Sequence, residues 1–147
     1  MRRLKINEQE TPVRTDRGGT YRVMITPGSV QATQLIMGVA TIPPGERVKA
    51  HAHDYSEEAF FVVAGRGRAL LEGHGAVEFA AGDALLVPRG IVHEIENTGA
   101  EDVRVIFASA PLAGATTALM KRSSLSVGRP LAQSGTSVGI PGQEWRG

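Results

Sequence analysis

A chain of 147 residues, 41% hydrophobic and with a formal net charge of +1, is sized for one domain with a modest core. It has no cysteine, which excludes disulfides, thiolate metal sites and a cysteine nucleophile and suits an expected cytoplasmic location. No like-charge cluster, 5% aromatics and no apolar run near the ~20 residues of a membrane span leave nucleic acid and membrane as unexpected partners.

The opening "MRRLKINEQE" is basic, but no apolar stretch follows it, so a secretory signal is not expected. Residues 1–22 hold six basic and three acidic side chains, and residues 121–147 hold four and one. Residues 1–30 read as an N-terminal arm with edge strands. From there, strand-length runs are bounded by Gly, Pro, Asn or Asp: 32–42, 59–64, 68–72, 76–80, 84–88, 91–97 and 103–109. "EGHGA" (72–76) and "AAGDA" (80–84) are turn connections between such runs. Short strands with regular turn signals predict an all-β barrel or sandwich over 31–110. Helical periodicity is missing between residues 23 and 109, and "LAGATTALMKR" (112–122) is a weak helix candidate. Residues 111–147 form an extension or tail, Gly/Ser/Pro-rich yet carrying Leu125, Val127, Leu131, Val138, Ile140 and Trp145.

Only four histidines occur, and two fall in "HAHDYSEE" (51–58). In a strand, His51 and His53 project from one face about 6–7 Å apart. Two imidazoles so placed can converge on one ion at the ~2.0–2.1 Å typical of metal–nitrogen bonds. A surface pair without a metal is the plain alternative. Glu58 offers a hard oxygen ligand, and His93 in "IVHEI" is the other histidine within a strand-like run. Such a set occupies four positions and leaves about two open on an octahedral ion.

"GERVKAHAHDYSEEAFFVVAG" (45–65) resembles the first cupin motif, with Gly45, His51, His53, Glu58 and Gly65 on its positions. "GDALLVPRGIVHEIEN" (82–97) resembles the second, through Gly82, Pro88, Gly90, His93 and Asn97. The motifs and their short spacer, 66–81, cover about a third of the chain. The resemblance implies a conical antiparallel β-barrel of the cupin, double-stranded β-helix or jelly-roll type. It also implies one divalent metal ion per chain (Fe, Mn, Ni, Zn or Cu) held by His51, His53, Glu58 and His93. It selects Glu58 over Glu57, and strand alternation agrees that only one of the two faces inward.

Around that set, Gln34 is a candidate extra ligand or substrate contact, against a plain exposed position. Tyr55 is a candidate acid or base above the site, against mere loop packing. His74 reads as an exposed turn residue. Gly65, Gly82, Pro88 and Gly90 read as turn formers, and Asn97 as a structural hydrogen-bonding residue. Arg47, Lys49 and Arg89 are candidate anion contacts that the sequence does not rank. The resemblance implies a metal-dependent enzyme on a small organic substrate. Dioxygenase chemistry is slightly favoured over a Lewis-acid polyketide cyclase, isomerase or lyase, or a non-enzymatic metabolite- or sugar-binding protein. A homodimer is expected, with the N-terminal segment and the tail as candidates for reaching the partner.

Overall fold

The computed structural model describes residues 1–112. Its strands are β1 (Thr20–Ile25), β2 (Ile36–Ile42), β3 (Arg47–His51), β4 (Glu57–Ala64), β5 (Arg66–Leu71), β6 (Gly75–Ala80), β7 (Ala84–Val87), β8 (His93–Asn97) and β9 (Val103–Ala110). They form a five-stranded sheet, β1-β2-β9-β4-β7, and a four-stranded sheet, β3-β8-β5-β6. Every pairing is antiparallel. The all-β class expected from the sequence is the one observed.

β1 falls within 1–30, where edge strands are expected, but neither it nor β3 matches one of the bounded runs. "TYRVMI" is only partly buried along most of its length, and "RVKAH" is largely polar, so neither shows the contrast that marks a strand in sequence. β2 begins at Ile36 rather than residue 32, because Thr33 and Gln34 form a bend. A single helical turn, α1 (Pro27–Val30), interrupts the region read as free of helix. Thr26 and Ser29 cap each other reciprocally and Pro27 opens the turn. Four residues are too few to leave a helical period. The predicted helix 112–122 and extension 111–147 lie, beyond Leu112, outside the described residues.

One apolar core joins the sheets. Ile42, Phe60, Val62, Val87, Val103 and Val105 come from the larger sheet, and Ala69, Phe79 and Ile95 from the smaller. The Phe60 and Phe79 rings meet edge to face across the interface at 6.1 Å. β4 alternates strictly near its start: Glu57, Ala59 and Phe61 are exposed, while Phe60 and Val62 are buried and Glu58 is partly buried on their face. The register of this strand therefore decides which glutamate faces inward. It is fixed by β9 on one side, where Glu58 pairs with Ser109, and by β7 on the other, where it pairs with Val87.

The two outer faces differ in chemistry. That of the smaller sheet carries ion pairs, Arg47 with Glu94 (3.0 Å) and Arg68 with Glu96 (2.7 Å). The larger sheet leaves Phe61, Val63 and Leu86 about half exposed. The N-terminal segment lies on its own chain: Glu8 pairs with Arg104 at 2.6 Å, and Arg2 donates to the Gln31 carbonyl.

Turn chemistry follows the sequence reading. Gly65 has φ +82° where the chain swings from β4 to β5, and a Cβ there would lie 2.5 Å from the Asp102 carbonyl oxygen. Gly82 and Gly90 also have positive φ. Asn97, 2% exposed, ties three segments together. Its amide donates to the Ile42 and Glu101 carbonyls, both at 2.7 Å, and its oxygen accepts from Gly99 N–H at 2.9 Å. Asn97→Ala is expected to destabilise the fold by about 2–4 kcal/mol in urea unfolding, because each abandoned buried group costs roughly 1–3 kcal/mol. Metal content of the folded variant should stay unchanged.

Candidate metal centre

The site lies between the sheets. His51 ends β3 and His93 opens β8, and the two are cross-strand partners in the smaller sheet. Glu58 arrives on β4 from the larger sheet. His53 sits just past β3, in the connection to β4, rather than in a regular strand as the i, i+2 argument assumes. Its backbone is held from outside that connection, since Gly90 N–H donates to the His53 carbonyl at 3.0 Å. The three imidazole centroids lie 4.2–5.4 Å apart.

Ligand-capable atoms of His51, His53, Glu58 and His93 all lie within 4.8 Å of one another. Backbone carbonyls select the tautomers. His51 Nδ1–H donates to the Lys49 oxygen at 2.8 Å, and His93 Nδ1–H to the Ile91 oxygen at 3.1 Å. Each leaves Nε2 to face the site, the orienting arrangement that histidine ligands use. His53 Nε2 and His93 Nε2 stand 3.2 and 3.1 Å from the same oxygen, Glu58 Oε2. Imidazole nitrogens and a carboxylate oxygen directed into one small space need positive charge among them, supplied by protons on the Nε2 atoms when no metal is bound or by a metal ion in their place. The donor set therefore fits a divalent ion, with nitrogen and oxygen ligands suited to the transition metals.

Electrostatics agree. Burial alone would raise the Glu58 pKa, but hydrogen bonds from His53 and His93, with their charges, outweigh it and hold it at about 2 against an ordinary 4.5. A depressed carboxylate pKa stabilises the fold fully above pH 4.5, and that contribution is lost as pH falls toward about 2. His51 shifts below its ordinary 6.5, chiefly through burial and against the raising effect of its Lys49 bond, which favours the neutral, metal-binding form. Ser109, buried on β9 opposite Glu58, donates its hydroxyl to Glu58 Oε1 at 3.2 Å and so holds the other half of the carboxylate.

A cavity of about 260 Å³ opens over His51, His53 and Glu58. Val23, Ile36, Ala40, Phe60, Val105 and Phe107 give it apolar walls. Arg14, Arg17 and Tyr21 also line it, and the sequence reading did not single these out. Ser109 was likewise missed, since only strand pairing sets it beside Glu58.

The remaining candidates lie elsewhere. Gln34 is on the exposed bend before β2, where its carbonyl accepts from Leu112 N–H, and it does not line this cavity. Tyr55 is exposed in the β3–β4 connection and also lies off the cavity. His74 occupies the β5–β6 turn, outside the cluster. Arg47 is taken up by Glu94 and Glu96 on the outer face, and neither Lys49 nor Arg89 lines the cavity.

The family model described as "Cupin domain" matches residues 38–109. The chain belongs to the cupin family. It is 38% identical over 113 residues to the polyketide synthase CurC of Streptomyces cyaneus, covering 77% of this chain and 73% of that one. It is 37% identical over 97 residues to the tetracenomycin polyketide synthase protein TcmJ of Streptomyces glaucescens, covering 66% and 64%. Among solved structures, the polyketide cyclase RemF from Streptomyces resistomycificus superposes with a TM-score of 0.61 at 18% identity, covering 72% of this chain and 78% of that one. At that identity the likeness concerns the cupin fold. The two motifs that carried the resemblance, 45–65 and 82–97, both fall inside the matched region.

Replacing His51 or His93 with alanine is expected to cut bound metal sharply, measured by elemental analysis after dialysis, while His74→Ala keeps wild-type stoichiometry. Glu58→Gln should lower metal retention at least tenfold more than Glu57→Gln, because a charged ligand is lost from the inward face alone, consistent with roughly 10–100-fold effects even for outer-shell changes.

Proposed function

We propose that this cupin is a metal-dependent enzyme that closes a ring on a polyketide intermediate by Lewis-acid chemistry. The observation that carries the reading is the three-histidine, one-glutamate cluster at an apolar cavity, in a chain 38% identical to a polyketide synthase protein. The slight initial preference for a dioxygenase gives way to its alternative on this ground. Dioxygen chemistry needs the same ligands but draws no support from these relatives.

His51, His53, Glu58 and His93 would hold the ion, whose chemistry when bound is to polarise a carbonyl and ease loss of a proton from the adjacent carbon. The protein's own residues do the rest. The Lys49 and Ile91 carbonyls keep two imidazoles oriented, and Ser109 keeps the carboxylate turned toward them. Phe60, Phe107 and Val105 form a dry wall against which a flexible poly-ketone folds, bringing an enolisable carbon near a second carbonyl. An apolar cavity of ~150 Å³ holds benzene, so about 260 Å³ accommodates one to two rings and leaves a longer chain protruding.

Metal-reconstituted protein incubated with a poly-β-ketone made by a minimal polyketide synthase is expected to yield a cyclised, dehydrated product. Yield should be the same with and without oxygen. A product heavier by dioxygen, formed only in air, would restore the oxygenase reading.

For assembly we propose a homodimer through the outer face of the larger sheet. Phe61, Val63 and Leu86 are 46%, 45% and 56% exposed there. They sit on the neighbouring strands β4 and β7, where Ala59 pairs with Leu86 and Phe61 with Ala84. Burying these three side chains contributes about 1.5–3 kcal/mol each when complete. Sedimentation equilibrium of the full chain should give a dimer at micromolar concentration, and Phe61→Glu with Leu86→Glu should give a folded monomer. No helix among the described residues is long and apolar enough to cross a membrane.

A further inference from the structure

Resting on the reading of this cavity as the substrate site, we propose that Arg14 and Arg17 form a cationic rim that selects substrates carrying a carboxylate away from the reacting ring. Both arginines line the cavity, together with the metal-ligand candidates at its floor. Neither has an ion-pair partner within 4.0 Å among the described residues, unlike Arg47, Arg68 and Arg104. Glu58 is the acidic residue among those lining the cavity, and its charge is directed to His53 and His93. Asp16 stands between the arginines in sequence, but its carboxylate accepts the Tyr21 hydroxyl at 2.8 Å. At the mouth the two arginines outweigh Asp16, a net positive charge that needs no metal, while Glu58, only 12% exposed, is set against His53 and His93. Such a mouth draws anions and repels cations.

The rim is built, and its backbone is held at both ends. Arg14 and Tyr21 exchange backbone hydrogen bonds of 2.8 and 2.9 Å, which closes the loop between them. The Arg17 carbonyl accepts from Lys49 N–H at 2.8 Å, which fastens the loop to β3 two residues from His51. Gly18 and Gly19 make that approach feasible. Their φ values are +95° and +61°, and an added Cβ would stand 2.1 Å from the Arg47 oxygen or 2.5 Å from the Thr41 oxygen. Any other residue there would push the loop off the barrel, and the two arginines with it. With the backbone anchored in this way, both guanidinium groups stay within reach of the mouth, which limits the ordering cost of binding.

The cavity size and the rim together define the ligand class: an apolar, one- or two-ring body with an anionic end at the mouth. 2-Naphthoate and its neutral amide, 2-naphthamide, share the ring body and differ chiefly in that charge. Calorimetry of the full chain, metal-loaded and metal-stripped, is expected to show about tenfold tighter binding of the naphthoate in both forms, shrinking as salt rises, as for partly solvated charges. The stripped form matters because direct carboxylate–metal contact is absent there. Arg14→Gln with Arg17→Gln should abolish the preference in the stripped form while leaving naphthamide affinity unchanged, and Arg14→Lys with Arg17→Lys should keep most of it. Equal binding of the two probes by the wild-type stripped chain, or an undiminished preference in the glutamine variant, overturns the proposal. If the ring-closure assay fails while the preference tracks the arginines, the functional reading falls and the rim stands. Ring closure with no arginine-dependent preference has the opposite meaning.

Discussion

Glu58 is a carboxylate placed on the inward face of a strand, two residues from Phe60 and four from fully buried Val62. An ionised group in that position is costly unless it is paired and hydrogen-bonded. The fold supplies partners for both oxygens: His53 and His93 on one, Ser109 on the other. These partners arrive from a connecting loop, from the opposite sheet and from the neighbouring strand. The charge of one side chain therefore sets requirements on nearly every element around the cavity.

That arrangement couples the site to the packing of the two sheets. His51 and His93 belong to β3 and β8, Glu58 and Ser109 to β4 and β9, and the shared core lies below them. No sheet alone contains the ligand set. Separating the sheets would scatter the donors and expose Phe60, Phe79 and their neighbours together, so an ion bound across them adds to folding stability by mass action. The same logic explains the paired motifs in sequence: the first contributes two histidines and the carboxylate, and the second contributes one histidine from the smaller sheet.

The cavity combines three chemistries in a short span. Its floor can hold a metal, its walls are aliphatic and aromatic, and its mouth carries arginines. Cupin barrels support many reactions on one scaffold, and fold alone does not choose among them. What distinguishes this chain is the wall and rim, together with relatives that bear polyketide synthase names. An apolar wall suits the folding of a flexible ketone chain better than the handling of a polyhydroxylated sugar, which would need hydrogen-bonding partners along its length.

The sequence by itself determined the all-β class, the turn glycines and which four side chains cluster between the sheets, because these depend on spacing within short segments. Five positions in each of two motifs, with period-2 alternation choosing Glu58 over Glu57, were enough. It was silent on residues whose role arises from pairing across the chain. Ser109 meets Glu58 from 51 positions away, and Gly18 presses on β3 near Arg47. Arg14 and Arg17 look in sequence like part of a solvated basic arm, while Gln34 and Tyr55 look well placed near the motifs and lie off the cavity. Proximity in sequence misleads at these positions because loop closure and strand register, which the tertiary structure alone decided, determine which side chains reach the mouth of the cavity.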